Sequence, residues 1–350
     1  PVVAAWKDAK SLLVVAHGAL GYLPPSVLPT APVELAPESG ALFSNHRDVP
    51  WLARSHAVTM LPSVASLATL RGLPPGAPDR KAFAGFGDPL FSAEQAAQPV
   101  KVAAALTSRG LKTRSLPVRL RATPKTAALD SAGLAQLPRL PDTAEELRSI
   151  AVALNADLTE DVFLGERANE DAVKTRDLFG YKVLAFATHG LVPGDLDGLM
   201  QPALALSAPD VAGVEGDGLL TMGEILGLKL DADWVVLSAC NTGSGAGAGA
   251  EAVSGLGQAF FYAGTRALLV SNWPVETTSA KALTTDLFRR QSDNANLTRA
   301  EALRRTMLGL IDGGGYVDQK SGKTVFSYAH PIFWAPFSLI GEGGVGKPSS

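Results

Sequence analysis

The chain predicts a largely parallel α/β sheet flanked by helices. Short apolar runs rich in β-branched residues alternate with helical segments along its length. Several of those runs stop abruptly at glycine or proline, as parallel strands do where they hand over to loops. Hydrophobic residues make up 46% of the 350 positions and charged residues 19%, which is material for a buried core.

Taken in order, Ser11–Ala16 is an apolar strand, followed by a proline-rich passage from Leu23 to Pro37. His56–Ser63 holds a second strand, and Val64–Arg71 a helix closed by Gly72. Lys81–Pro89 is a third strand ended by Gly-Asp-Pro. From Ser92 to Arg121 no clean period emerges. A passage rich in Pro, Thr, Ala and Ser then reads as a linker, 126–142, between a first half at 1–125 and a second at 143–345. Asp142 or Thr143 opens a helix with Glu145 and Glu146 in its first turn, where acids suit the helix dipole.

Asp161–Gly165 is a short strand, and Asn169–Gly180 a helix ending at its glycine. The strand Val183–Ala187 runs into Thr188-His189-Gly190, and Leu199–Ser207 holds a further strand. Thr221 caps a short helix with Glu224 three residues on, the spacing of a capping box. Trp234–Leu237 is an apolar strand running into Ser238-Ala239-Cys240, and a glycine-rich stretch follows through Gly249. A helix from Glu251 to Ala263, the strand at 266–275, and helices near Thr278–Gln291 and Thr298–Asp312 complete the alternation, and Pro331–Gly341 closes the core. Residues 13–20 and 184–191 are alike: each is a hydrophobic strand that ends in His-Gly.

Charge and composition exclude several function classes. The formal charge is −3 with no basic run, so nucleic-acid binding is disfavoured. No stretch of about 18 apolar residues occurs, so no transmembrane helix or membrane partner is expected. The single cysteine cannot form an internal disulfide, which fits a reducing, cytoplasmic setting or one where disulfides are simply unused, and it rules out a cysteine-built structural zinc site. His17, His46, His56, His189 and His330 are scattered and show no metalloprotease spacing, so no metal and no cofactor is expected. The glycine run after Cys240 is followed by no Gly-Lys-Ser/Thr and is not a phosphate loop. The chain opens at Pro1 without an initiator methionine and reads as an excised or processed fragment.

The remaining chemistry gathers at two strand ends. A lone cysteine is commonly a small buried hydrophobe, and a lone histidine a satisfied polar residue. Here both end a predicted strand, both lie near glycine, and the carboxyl ends of strands are where open α/β sheets place their sites. A thiol becomes a reactive thiolate beside a base such as imidazole. Cys240 is therefore the candidate nucleophile and His189 its partner, 51 positions upstream.

These residues and their surroundings resemble a known family. The segments ATHG, DGLLTMGEIL, VVLSACNTG and ALLVSNWPVETTSA, with AVTMLPSVASLATLRG and AFAGFGDPLF in the first half, are similar to the CHAT domain, a caspase-like cysteine-peptidase family of clan CD related to separase. The likeness spans about residues 10 to 342. It implies a caspase-like fold with an inactive first half and an active second half, so that His17 becomes a decoy of His189. It implies a His189/Cys240 dyad needing no third carboxylate. The backbone N–H groups of Gly190 and Cys240 are then the candidate oxyanion donors, although Gly190 serves equally well as a plain strand end. Trp273 would line a substrate groove or pack in the core, and Asn272 would pair with the substrate chain.

Asp195 and Glu276, and with them Asp197, Asp217 and Glu224, are candidates for an acidic specificity pocket, against the reading that they are solvated loop charges or, for Glu224, a cap. The glycine-rich run orders on substrate binding or is a solvated linker. Ser238 stands where caspases carry glutamine, and Pro274 where they carry arginine, so aspartate selectivity is not implied. The resemblance points to an endopeptidase cutting a protein substrate in a regulated bacterial pathway, with a regulatory protein or upstream helical-repeat domain as partner. The alternative is a non-enzymatic signalling or scaffold module on the same fold.

Overall fold

The computed structural model describes residues 6–98, 118, 132–196, 198–238, 248–318 and 320–344, without the side chains of 19, 22, 132 and 248–254. The chain forms two compact units, Pro1–Leu73 with Leu111–Val118 and Val275–Ser350, and Pro74–Gly110 with Arg119–Pro274. Strand pairing and not chain order draws this division. Lys81–Gly87, from the first half of the sequence, pairs with Tyr181–Ala187 and so belongs with the second unit.

The first unit holds a parallel sheet of β1 (Ser11–Val14), β2 (Ala57–Met60) and β13 (Phe337–Gly341), in the order β1-β2-β13. A hairpin of β11 (Gly315–Val317) and β12 (Thr324–Ser327) forms a separate two-stranded sheet. The helix Val64–Arg71 begins at Ser63, whose hydroxyl accepts from Ser66 N–H, and is closed by Gly72. The long helices Thr277–Asp293 and Arg299–Gly313 and the short ones Leu52–Ser55 and Pro331–Trp334 also belong to the unit, and Arg54 ties the second long helix through Asp312 at 2.8 Å.

The second unit holds a five-stranded parallel sheet in the order β10-β9-β5-β3-β4. Its strands are β3 (Lys81–Gly87), β4 (Val162–Leu164), β5 (Tyr181–Ala187), β9 (Trp234–Leu237) and β10 (Ala267–Ser271). β9 and β10 are buried at every position, as apolar strands covered on both faces must be. Paired registers place Phe86 opposite both Phe163 and Phe186, and the three rings stack at 4.8 and 5.3 Å. Each such pair adds about 0.5–1.5 kcal/mol beyond its buried area.

The helix Asp142–Ala153 rests on β3 because Gly85 and Gly87 leave room for it. A Cβ at Gly85 would come within 3.0 Å of a Leu147 methyl, and one at Gly87 within 2.6 Å of the other. Between the helix that ends at Ala263 and β10, Gly264 turns the chain with φ +116 beside the Leu230 carbonyl, a conformation and a proximity that exclude a side chain.

A second, antiparallel sheet of β6 (Gly190–Leu191), β7 (Ala203–Ala205) and β8 (Leu219–Thr221) follows β5 directly. The helix expected to reach Gly180 ends at Thr175 instead. Arg176 turns extended there and stacks its guanidinium 4.2 Å from the Phe163 ring, so a tertiary contact overrides the local pattern. The described part of the expected linker, 132–142, is also packed: Ala132–Ala135 is helical, and Leu134 and Leu137 are buried. Among the described residues no helix is long and apolar enough to cross a membrane.

Candidate active site at the strand ends

The C-terminal rim of the five-stranded sheet brings the ends of β5, β9 and β10 side by side. At the first of these, the backbone leaves the parallel sheet at Thr188. The Thr188 hydroxyl donates to the Ala205 carbonyl, Ala205 N–H donates to the His189 carbonyl at 2.9 Å, and Gly190 pairs with Leu204. The main chain of His189 is thus held from both sides, by β5 and by the antiparallel sheet. Beneath it lies a small apolar cluster of Phe91, Leu134, Leu137, Leu191, Leu196 and Leu199.

The imidazole of His189 is fully buried. Its Nε2 lies 2.7 Å from the Pro138 carbonyl, and the Phe91 ring is 5.6 Å away, centroid to centroid. A carbonyl oxygen only accepts, so Nε2 carries the proton and Nδ1 is the basic nitrogen. A backbone carbonyl, that of Pro138, is thus one group that orients the histidine.

Just past the end of β9, Ser238 N–H donates to Phe186 O at 3.0 Å. Its hydroxyl donates to Glu146 Oε2 at 3.3 Å. Glu146, expected in the first turn of its helix, lies one residue beyond the first-turn acids Asp142 and Glu145 and is fully buried against the sheet rim. Cys240, the glycine run through Gly247 and Asp197 lie outside the described residues. At the end of β10, Asn272 and Trp273 are half-buried, and Trp273 is not among the core residues.

The acidic candidates have local duties. Asp195 accepts from Val192 N–H at 2.8 Å and closes a turn, and Asp217 accepts from Leu219 N–H at 2.9 Å. Glu224 completes the capping box with Thr221, both bonds being present, and pairs with Lys174 at 2.6 Å. Burial pushes the Glu224 carboxyl up, but the bonds from Lys174 and Thr221 outweigh it and hold the group below its ordinary range. Glu276, in the first unit, is 1% exposed and caps the helix Thr277–Asp293 by accepting from Ser279 N–H at 2.7 Å. A buried cap has no surface to offer a substrate. His17, also in the first unit, is exposed at the end of β1 and makes no capping bond.

Sequence reasoning missed two groups at this rim. The Pro138 carbonyl is a backbone atom and leaves no mark in residue types. Glu146 has the sequence signature of an exposed helix-start acid, and only packing reveals it as buried.

The mostly parallel sheet flanked by helices is an α/β architecture consistent with a caspase-like fold. The family model for the CHAT domain matches residues 1–342, and the chain belongs to that family. A search of curated proteins returns no match.

Proposed function

We propose that the chain is a cysteine endopeptidase in which Cys240 attacks the peptide carbonyl and His189 serves as its base and acid. One observation carries the reading. Every described pair between β5 and β9, from Val183 with Trp234 to Phe186 with Leu237, is offset by 51 positions. His189 and Cys240 are separated by the same 51. The matching offset supports reading the two residues as lying at corresponding positions just beyond the paired parts of β5 and β9.

In this reading His189 Nδ1 takes the thiol proton, and the resulting imidazolium stabilises the thiolate. The sulfur bonds to the scissile carbon, the oxyanion is held by the N–H groups of Gly190 and Cys240, and the imidazolium returns the proton to the departing amine. Water, deprotonated by the same nitrogen, then hydrolyses the thioester. Asn272 and Trp273 line the groove beside the substrate chain. Asp195, partly exposed, is the acid we retain for a basic substrate side chain. The second half, 143–345, carries the chemistry, and the first half, 1–125, is its inactive relative.

The complete burial of His189 favours a latent enzyme that a regulatory protein or helical-repeat domain opens. The same burial fits a non-enzymatic scaffold. We place the protein in the cytoplasm, where a lone thiol stays reduced.

Mass spectrometry of a peptide library incubated with the protein tests the proposal. Cleavage should occur with the wild type and with His17→Ala, and be lost with Cys240→Ala. Cleavage that survives Cys240→Ala refutes the enzymatic reading, and binding of partners without any Cys240-dependent cleavage favours the scaffold.

A further inference from the structure

The carbonyl that touches His189 sits in a segment, Leu137–Thr143, that is fastened on every side. Leu137 O accepts from Gln95 Nε2 at 2.7 Å, and Gln95 is fixed in turn by Phe91 N–H at 2.9 Å. Leu140 O accepts from Thr143 Oγ1 at 2.7 Å, and that same hydroxyl accepts from Asp88 N–H at 2.8 Å. Between these two anchors Arg139 meets Asp88 in a two-pronged pair, Nε to Oδ1 and Nη2 to Oδ2, both at 2.8 Å.

The pair is placed with unusual care. Asp88 is buried directly beyond the end of β3 and holds φ +47, a region that residues with a side chain seldom occupy. The Arg139 side chain is only 17% exposed. Two parallel charged hydrogen bonds fix direction as well as distance, and Pro138, the next residue back, has its own φ locked by its ring. The carbonyl between a fixed proline and a fixed guanidinium has little freedom left. Hydrogen bonding to Asp88 also holds the Arg139 guanidinium further above its usual range.

We propose that Asp88 and Arg139 are positioning residues for His189: the pair aims the Pro138 carbonyl at Nε2, and so fixes both the tautomer and the plane of the imidazole. Neither residue is needed as a contact to substrate. Their effect passes through one carbonyl, which accepts from Nε2–H and so presents Nδ1 as the base. The tautomer claim stands on the geometry alone, whereas its catalytic consequence rests on the cysteine-peptidase reading above.

Nitrogen-15 NMR of labelled histidine reads the tautomer directly. The wild type should show His189 protonated at Nε2. Arg139→Met should give a mixture of tautomers, raise the pH at which Cys240 reacts with iodoacetamide, and slow that reaction at neutral pH on the order of 10- to 100-fold, the scale expected from a small misplacement of a catalytic group. Arg139→Lys, which keeps the charge but not the fork, should recover part of both effects. Asp88→Asn, nearly the same shape without the charge, gives a second route should Arg139→Met fold poorly.

Thermal unfolding recorded on the same samples separates positioning from simple support. A lowered midpoint with an unchanged tautomer and pH profile overturns the proposal. The two readings also fail differently. If His189→Ala slows Cys240 alkylation while the Arg139 and Asp88 variants leave tautomer and profile alone, positioning is wrong and the peptidase reading stands. If His189→Ala has no effect on alkylation while the tautomer still follows Arg139, the peptidase reading is wrong and the positioning of His189 stands.

Discussion

Replacing Gly87 with alanine puts a methyl where the helix Asp142–Ala153 meets β3. Its Cβ would lie 2.6 Å from Leu147 Cδ1, 3.1 Å from Ala187 O and 3.2 Å from Thr143 Oγ1. Carbon atoms pack best at about 3.5–4.0 Å, so the leucine methyl must retreat by about 1 Å. It has little space for this, because Leu147 is fully buried and its other methyl already stands over Gly85. The oxygen of Ala187 belongs to the paired strand and cannot give way independently. Overpacking of this kind costs about 1–3 kcal/mol, offset by about 0.4–1 kcal/mol from the stiffer unfolded chain. A net loss of about 1–2 kcal/mol should lower the melting temperature by about 2–8 °C.

Leu147→Ala alone should cost about 2–5 kcal/mol through its cavity. The double variant should be at least about 1 kcal/mol more stable than the two losses summed, because each change makes room for the other. Calorimetry or urea unfolding of the four proteins measures this. Strict additivity within about 0.5 kcal/mol, or an unaltered Gly87→Ala protein, refutes the packing argument.

In the first unit, burial and then the neighbouring His46 lower the His330 pKa to about 4. The unfolded imidazole titrates near about 6.5, so the unfolded chain binds more protons between these values. The stability tied to neutral His330 is full above about 6.5 and falls as the pH drops toward 4, by up to about 3 kcal/mol less the share that solvent screens. His330 Nδ1 also accepts from Ile332 N–H, a role asparagine can take over, so His330→Asn should flatten the dependence measured by urea unfolding between pH 4 and 7; an unchanged slope contradicts the assignment. Glu170 is buried and accepts from Asp217 and Gly218 N–H, both at 3.1 Å, so Glu170→Ala leaves two amides without their acceptor and should cost about 1–3 kcal/mol, read by thermal unfolding, with no loss expected if that loop is held elsewhere.

Much of the fold is legible in residue types where the local signal and the packing agree. Gly72 closes its helix, Thr221 and Glu224 form both bonds of their capping box, and the runs read as strands at 183–187, 234–237 and 266–275 hold the strands Tyr181–Ala187, Trp234–Leu237 and Ala267–Ser271. The signal fails where tertiary contacts decide. Arg176 leaves its helix to stack on Phe163, and residues 132–142, polar enough to read as a linker, fasten the carbonyl beside His189. β6, β8 and β11 are two or three residues long, too short to show a period. The division into compact units was equally hidden, since it depends on which strands pair. The place of His189 at the end of a buried strand is readable from the apolar run before it and the glycine after it, a pattern that His17 shares. The roles of Pro138 and Glu146 are not readable, because one acts through its backbone and the other through burial.

The rate at which Cys240 is alkylated as a function of pH, in the wild type and in His189→Ala, bears most directly on the dyad. A thiol paired with imidazole should react at a nearly constant rate down to below about pH 7, and His189→Ala should move the transition up toward about 8.5, the value of an ordinary cysteine. Identical profiles centred near that ordinary value in both proteins would contradict the pairing of His189 with Cys240.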